Sequence, residues 1–172
     1  GPKWRDLADI TRRRASASVK GCAFSDLKAF DAIVAALPAF SVVHLSNSTP
    51  VRYAQLFSYE KPLFFRANRG ASGIDGVVST AAGAASISSR IHTLITGDLA
   101  FLYDSNALFN RHLTANLRII VIHNGGGGIF RFIDGPAGMP QLETHYEARH
   151  QQSAADVARA YGLACFTADD ER

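Results

Sequence analysis

Two short segments hold the residue types that bind a metal ion and a phosphate together. Gly97-Asp98 stands where an apolar run ends and a helical pattern begins, and Asn124 with the run Gly125–Gly128 follows 26 residues after Asp98. A helix start offers free backbone N–H groups and the positive end of a dipole, which together make an anion site. The residue placed there is itself an anion, and Asp98 would repel a bare phosphate. A divalent cation between the two removes the conflict. Carboxylate, amide oxygen and backbone carbonyl are the hard ligands that Mg²⁺ takes while it keeps phosphate oxygens. The glycines let the backbone come close to such a ligand. Each segment alone reads as an ordinary turn; at this spacing, one helix plus one strand, they point to a metal-held diphosphate.

Competing chemistries lack their residues. The chain contains no GxxxxGK[ST] phosphate loop. A GxGxxG register on Gly125 and Gly127 fails because Phe130 stands where glycine is needed, and Ser72 is not in a GxSxG elbow. Cys22 and Cys165 are far apart and outside any CxxC, so both are expected as reduced thiols packed like small hydrophobes. His145 and His150 are five apart, on different faces of a helix, which argues against a zinc pair.

Elements must bring these segments together. Short β-branched runs at Val42–Leu45, Leu63–Arg66, His92–Thr96, Arg118–His123 and Leu163–Thr167 predict strands covered on both faces. Between them, helical patterns run over Ser25–Leu37, about Ile74–Ser88, about Tyr103–Arg111 and Ser153–Tyr161. Ser25 is a good N-cap, and Gly162 closes the last helix. Strand–helix alternation of this kind predicts an α/β fold, a parallel sheet flanked by helices. In such sheets ligands sit beyond the carboxyl ends of the strands. Four successive strand ends carry polar or glycine-rich segments: Ser46–Arg52, Asn68–Gly76, Gly97–Leu99 and Asn124–Gly128.

Composition sets the outer bounds. The 172 residues are 47% apolar and 19% charged with a net charge of +3, which fits one globular domain and excludes a disordered chain. No apolar run reaches the roughly 18 residues of a membrane helix, because Pro38 interrupts the richest stretch. Residues 1–20 lack the apolar core of a signal peptide, so a cytoplasmic protein is expected. The same residues carry Lys3, Arg5, Arg12, Arg13, Arg14 and Lys20 against Asp6 and Asp9, an excess larger than that of the whole chain. Without interleaved aromatics or a recognition motif, this basic arm predicts a solvated segment or inter-domain linker rather than a nucleic-acid contact.

Gly97-Asp98 followed by Asn124 resembles the GD…NN signature of thiamine-diphosphate enzymes, with His123 in place of the first Asn and Leu99 in place of the last Gly of GDG. The segments GDLAFLYDSNAL, NSTPVR at 47–52, NRGASGIDG at 68–76 and NGGGGIF at 124–130 together resemble one family of that class. This is the 2-succinyl-5-enolpyruvyl-6-hydroxy-3-cyclohexene-1-carboxylate (SEPHCHC) synthases, transferases of menaquinone biosynthesis. The resemblance implies a diphosphate-binding (PP-type) domain, thiamine diphosphate and Mg²⁺ (or Mn²⁺) as cofactors, and 2-oxoglutarate and isochorismate as substrates. The first is decarboxylated and its carbanion added to the second, the cofactor acting as electron sink.

By the same resemblance, Asp98, Asn124 and the Gly126 carbonyl are the metal ligands. Gly97, Asp98, Leu99 and Ala100 line the diphosphate together with Gly127, Ala100 replacing the family's usual Ser. Ser72 and Gly73 meet the aminopyrimidine through backbone, and Ile74 props the cofactor from the first turn of its helix. Ile129 and Phe130, with Ile133, wall the thiazolium. Arg52 and Arg69, helped by Ser48, suit substrate carboxylates through their guanidinium forks; Arg66, within a strand, is expected to bridge or cap a neighbour instead.

Family members are much longer. The resemblance therefore implies a C-terminal part, residues 21–172, with 1–20 as the end of a linker, Gly1-Pro2 as a cloning remnant and Arg172 as a clipped end. The cofactor-activating Glu belongs to a pyrimidine-binding domain supplied by a second subunit of a dimer or tetramer, and no residue here takes that catalytic role. The chain alone is expected to be inactive, and its uncovered face to be apolar and prone to self-association. Two other readings stand beside this one: a different thiamine-diphosphate decarboxylase or carboligase, and a non-catalytic α/β binding domain descended from such an enzyme.

Overall fold

The computed structural model describes residues 1–170, so the expected end at Arg172 lies outside the described residues. Four strands, β1 (Val42–Leu45), β2 (Phe64–Ala67), β3 (His92–Gly97) and β4 (Leu117–Ile122), form one sheet in the order β2-β1-β3-β4, and every pairing is parallel. This is the α/β architecture that the alternating pattern predicts. The helices are α1 (Pro2–Gly21), α2 (Asp26–Ala36), α3 (Thr49–Tyr53), α4 (Val77–Ser86), α5 (Asp98–Tyr103) and α6 (Ala154–Ala160).

Side-chain alternation along the strands separates two apolar layers. Val43, Leu45, Ile95 and Ile122 pack with Phe30 and Val34 of α2, and with Val51 and Phe57, on one face. Leu94, with partly buried Ile119 and Val121, packs against Val77, Val78 and Ala81 of α4 and Phe101 of α5 on the other. Both faces are covered, which is why the strands read as continuous apolar runs. The chain runs from β1 outward to β2, then returns to β3 on the other side of β1. Strand order thus reverses between β1 and β3, and a ligand crevice belongs beyond their adjacent carboxyl ends.

Local chemistry fixes the helix boundaries. Ser25 Oγ accepts the Lys28 N–H, an N-cap as expected. Helix α4 begins at Val77 rather than Ile74, because its N-cap Gly76 sits at φ +68°. No side chain at Gly76 caps that helix; the buried Asp104 does so from a distance, accepting the Ser79 N–H at 2.7 Å and the Ser79 hydroxyl at 2.8 Å. This explains the displacement of the helix expected over Tyr103–Arg111. The chain is helical earlier, over Asp98–Tyr103, breaks at Asp104, and continues as a 3₁₀ turn over Ser105–Leu108.

Two further expectations change, and the basic N-terminal arm takes a regular form. Leu163–Thr167 is irregular, not a strand: Leu163 N–H returns to Ala158, and Leu163 and Cys165 pack against the α4–α5–α6 layer, so the apolar run covers a helix instead of extending the sheet. Residues 2–21 form a 20-residue helix begun by Pro2, with Val19 its one buried residue. Cys22 is exposed and Cys165 half-buried, both free, so only the second packs like a hydrophobe.

Candidate functional site

Asp98 is the centre of the site. It is 1% exposed, at the junction of β3 and α5. Its Oδ2 accepts backbone N–H bonds from Asn124 (3.1 Å), Gly125 (2.7 Å) and Gly126 (3.2 Å), and its Oδ1 accepts from Leu99 (2.7 Å). The β3–β4 pairing makes this possible, because Gly97 and Ile122 are register partners and both following loops leave the same edge. Asp98, Asn124 and Gly126 therefore meet, but the loop presents N–H groups to the carboxylate. The Asn124 side chain turns aside, donating Nδ2 to Asp26 Oδ2 at 2.7 Å. Ala100 is buried in the α4–α5 layer, while Gly97 and Leu99 are half-buried.

The glycine loop is held from behind. Gly127 N–H bonds to the Glu147 carbonyl at 2.6 Å, and His150 N–H to the Gly125 carbonyl at 3.2 Å. A Cβ on Gly126 would stand 2.7 Å from the Glu147 carbonyl oxygen, so only glycine fits there. Glu147 is itself buried, and Arg131 and Arg149 pair with its carboxylate. The hydrogen bond from Arg131, then that from Arg149, outweighs burial and holds this carboxyl below the usual glutamate range. Of the expected apolar wall, Ile129 is buried, Phe130 packs on Tyr146 with ring centroids 5.6 Å apart, and Ile133 is 38% exposed.

A second cluster joins the loops after β1 and β2. Asn47, 2% exposed, donates Nδ2 to the carbonyls of Asn68 (2.7 Å) and Gly73 (2.6 Å) and accepts from Arg69 at 2.8 Å. Ser48 sits at φ +76°, and its carbonyl accepts from Arg52 at 2.9 Å. Arg69 is thus held by the buried Asn47 amide and Arg52 by the neighbouring Ser48 carbonyl, and both arginines are exposed. Ser72, at φ +59°, is exposed, and a Cβ on Gly73 would collide with the Asp75 carboxylate. Ile74 is half-buried against the α4 layer, three residues ahead of the helix instead of in its first turn. Arg66 donates to its neighbour Phe65's carbonyl.

Sequence reasoning missed Asn47, Glu147 and His150. Asn47 lies inside the Ser46–Arg52 segment, but its partners are backbone carbonyls and Arg69 in another loop, which local sequence does not signal. Glu147 and His150 act through backbone and across loops, which no local spacing signals. His150 lies beside Asp98 with its ring tilted by 38° against that of His123, centroids 5.6 Å apart.

A buried carboxylate under a glycine loop, at the carboxyl end of β3 in an all-parallel sheet flanked by helices, gives an α/β fold consistent with a thiamine-diphosphate-binding domain. No protein-family model matches the chain. Curated relatives do: the chain is 43% identical to the SEPHCHC synthase of Flavobacterium johnsoniae over 165 residues, 96% of this chain and 29% of that protein. It is 47% identical to the synthase of Flavobacterium psychrophilum over 149 residues (87% of the chain, 27% of the relative) and 45% identical to that of Porphyromonas gingivalis over 161 (93% and 27%). The chain belongs to the SEPHCHC synthase family and matches the C-terminal domain of the larger enzyme. It spans less than a third of the length of the curated relatives it matches.

Proposed function

We propose that this chain supplies the diphosphate- and metal-binding half of a thiamine-diphosphate site in a SEPHCHC synthase. The observation that carries this reading is the burial of Asp98 against the backbone of Asn124, Gly125 and Gly126. The donor set fits the group. Asp98, the Asn124 amide oxygen and the Gly126 carbonyl are hard oxygen ligands of the kind Mg²⁺ or Mn²⁺ takes beside phosphate. Because Asn124 uses Nδ2 on Asp26, its Oδ1 is left for a cation. When bound, thiamine diphosphate supplies the electron sink that lets 2-oxoglutarate lose CO₂ and its remaining carbon unit join isochorismate.

The chain's own residues bind and orient. Asp98 would anchor the cation, and the backbone of Gly97, Leu99, Ala100 and Gly125–Gly128 would hold the diphosphate. Ser72, Gly73 and Ile74 hold the ring end, and Ile129 and Phe130 exclude water from the other side. Arg52 and Arg69 clamp substrate carboxylates in charge-assisted pairs, and the Asn47 hydrogen bond fixes where Arg69 reaches. Under this proposal the activating Glu comes from the pyrimidine-binding domain of a second subunit, so the chain alone releases no CO₂ from 2-oxoglutarate with isochorismate, thiamine diphosphate and Mg²⁺. In the full-length synthase, Arg52→Ala and Arg69→Ala each raise KM by about tenfold or more, the loss of one charge-assisted pair. CO₂ release by the chain alone, or unchanged KM in both variants, contradicts the proposal.

A further inference from the structure

His123 stands where the thiamine-diphosphate signature carries Asn, and this departure puts an imidazole on Asp98. His123 Nδ1 lies 3.0 Å from Asp98 Oδ2. A second imidazole reaches the same oxygen from a distant loop: His150 Nε2 is 3.5 Å away, its side chain only 9% exposed. Both ring nitrogens of His150 are buried and neither completes a hydrogen bond among the described residues. Burying an unsatisfied imidazole beside a buried carboxylate is costly unless something pairs with it. The two loops are already tied, His150 N–H to the Gly125 carbonyl, so this placement of His150 is built into the backbone.

The three ligand atoms lie within 4.8 Å of one another. A tetrahedral cation with bonds of about 2.0 Å spaces its ligands by about 3.3 Å, close to the two distances from Oδ2. Two imidazoles and one carboxylate are not a Mg²⁺ set. They suit a borderline divalent transition cation and favour it over the hard ions. The His123 side chain is 44% exposed, so a cation there keeps an open side for water, as three-ligand zinc sites do.

We propose that Asp98, His123 and His150 bind a transition cation of the Zn²⁺ class, with no diphosphate required. The site shares Asp98 with the proposed Mg²⁺–diphosphate site, so the two cations compete for one carboxylate, but it does not rest on that reading. Binding also clamps the end of β4 to the segment carrying His150.

The test is titration of the chain with Co²⁺, without thiamine diphosphate, followed by visible absorption and by equilibrium dialysis against Zn²⁺. One Co²⁺ per chain is expected, displaced by Zn²⁺ and not by excess Mg²⁺. His150→Gln and His123→Asn each weaken binding by more than about 100-fold, more than an outer-shell change would. His123 is exposed enough that His123→Asn keeps the fold, which near-ultraviolet circular dichroism checks. No Co²⁺ on a folded chain, or binding by both variants as tight as by the unsubstituted chain, overturns the inference. A parallel titration with thiamine diphosphate and Mg²⁺ separates the two proposals: cofactor binding without Co²⁺ binding sinks only this one, and the reverse sinks only the cofactor reading.

Discussion

Asn47 shows how one side chain can position a site without entering the chemistry. Its amide joins the loops after β1 and β2 and fixes Arg69, using both donor and acceptor in a place that water does not reach. Asn47→Ala leaves two carbonyls and a guanidinium without that partner, and a lost buried hydrogen-bonding group costs about 1–3 kcal/mol. Urea denaturation should show that loss, and a variant as stable as the parent contradicts the assignment. The residues legible in the sequence are those whose signal is local: Gly97-Asp98 at a strand end, and Asn124 with its glycines one helix and one strand later. His150 and Glu147 were not legible. Their partners lie in other loops, and Glu147 holds the glycine loop through its carbonyl, which any residue type carries.

At the scale of elements, four strands were legible as apolar runs because both faces of the sheet are covered. The fifth expected strand fails because Leu163 and Cys165 are just as apolar when they pack on α6 and its layer. The N-terminal helix was hidden by its charge: Trp4, Leu7, Ala8, Ala15 and Val19 line one side of α1, but they are interleaved with six Lys and Arg residues and only Val19 is buried. The glycine loop yields a sharp expectation. Gly126→Ala forces a Cβ against the Glu147 carbonyl, so the loop must shift; thermal melting should fall by several degrees, and an unchanged melting temperature contradicts this packing.

The sheet also carries a pH response. His44 on β1 and His92 on β3 are both buried, stacked at 5.2 Å, with Nε2 and Nδ1 2.9 Å apart. Burial, then the neighbouring His92 and Arg66, pushes His44 down to about 4, and burial lowers His92 as well. In the unfolded chain these rings titrate near 6.5. Between pH 6.5 and 4 the unfolded state therefore takes up protons that the folded state refuses, and stability falls as pH falls. The loss from His44 is on the order of 2–3 kcal/mol by the bottom of that window. Glu147, whose carboxyl is held low by Arg131, contributes stability that is lost as pH falls below the ordinary glutamate range. Urea midpoints at pH 7.5, 6 and 5 should decline in that order, and a flat profile rules out the neutral buried pair.

At the scale of the molecule, one parallel sheet brings four loops to a single edge, and two of them, after β3 and β4, are already bonded through Asp98. Among the described residues no helix is long and apolar enough to cross a membrane. The chain accounts for less than a third of its relatives' length, and the proposed function assigns it one half of a cofactor site. That half-site is tested most directly by calorimetric titration of the chain with thiamine diphosphate, with Mg²⁺ and with EDTA, beside Asp98→Ala. Millimolar affinity corresponds to about −4 kcal/mol, so high protein concentration is needed. Binding should appear only with Mg²⁺ present and vanish in Asp98→Ala; binding that survives EDTA or the loss of Asp98, or no binding by the folded chain, contradicts the account.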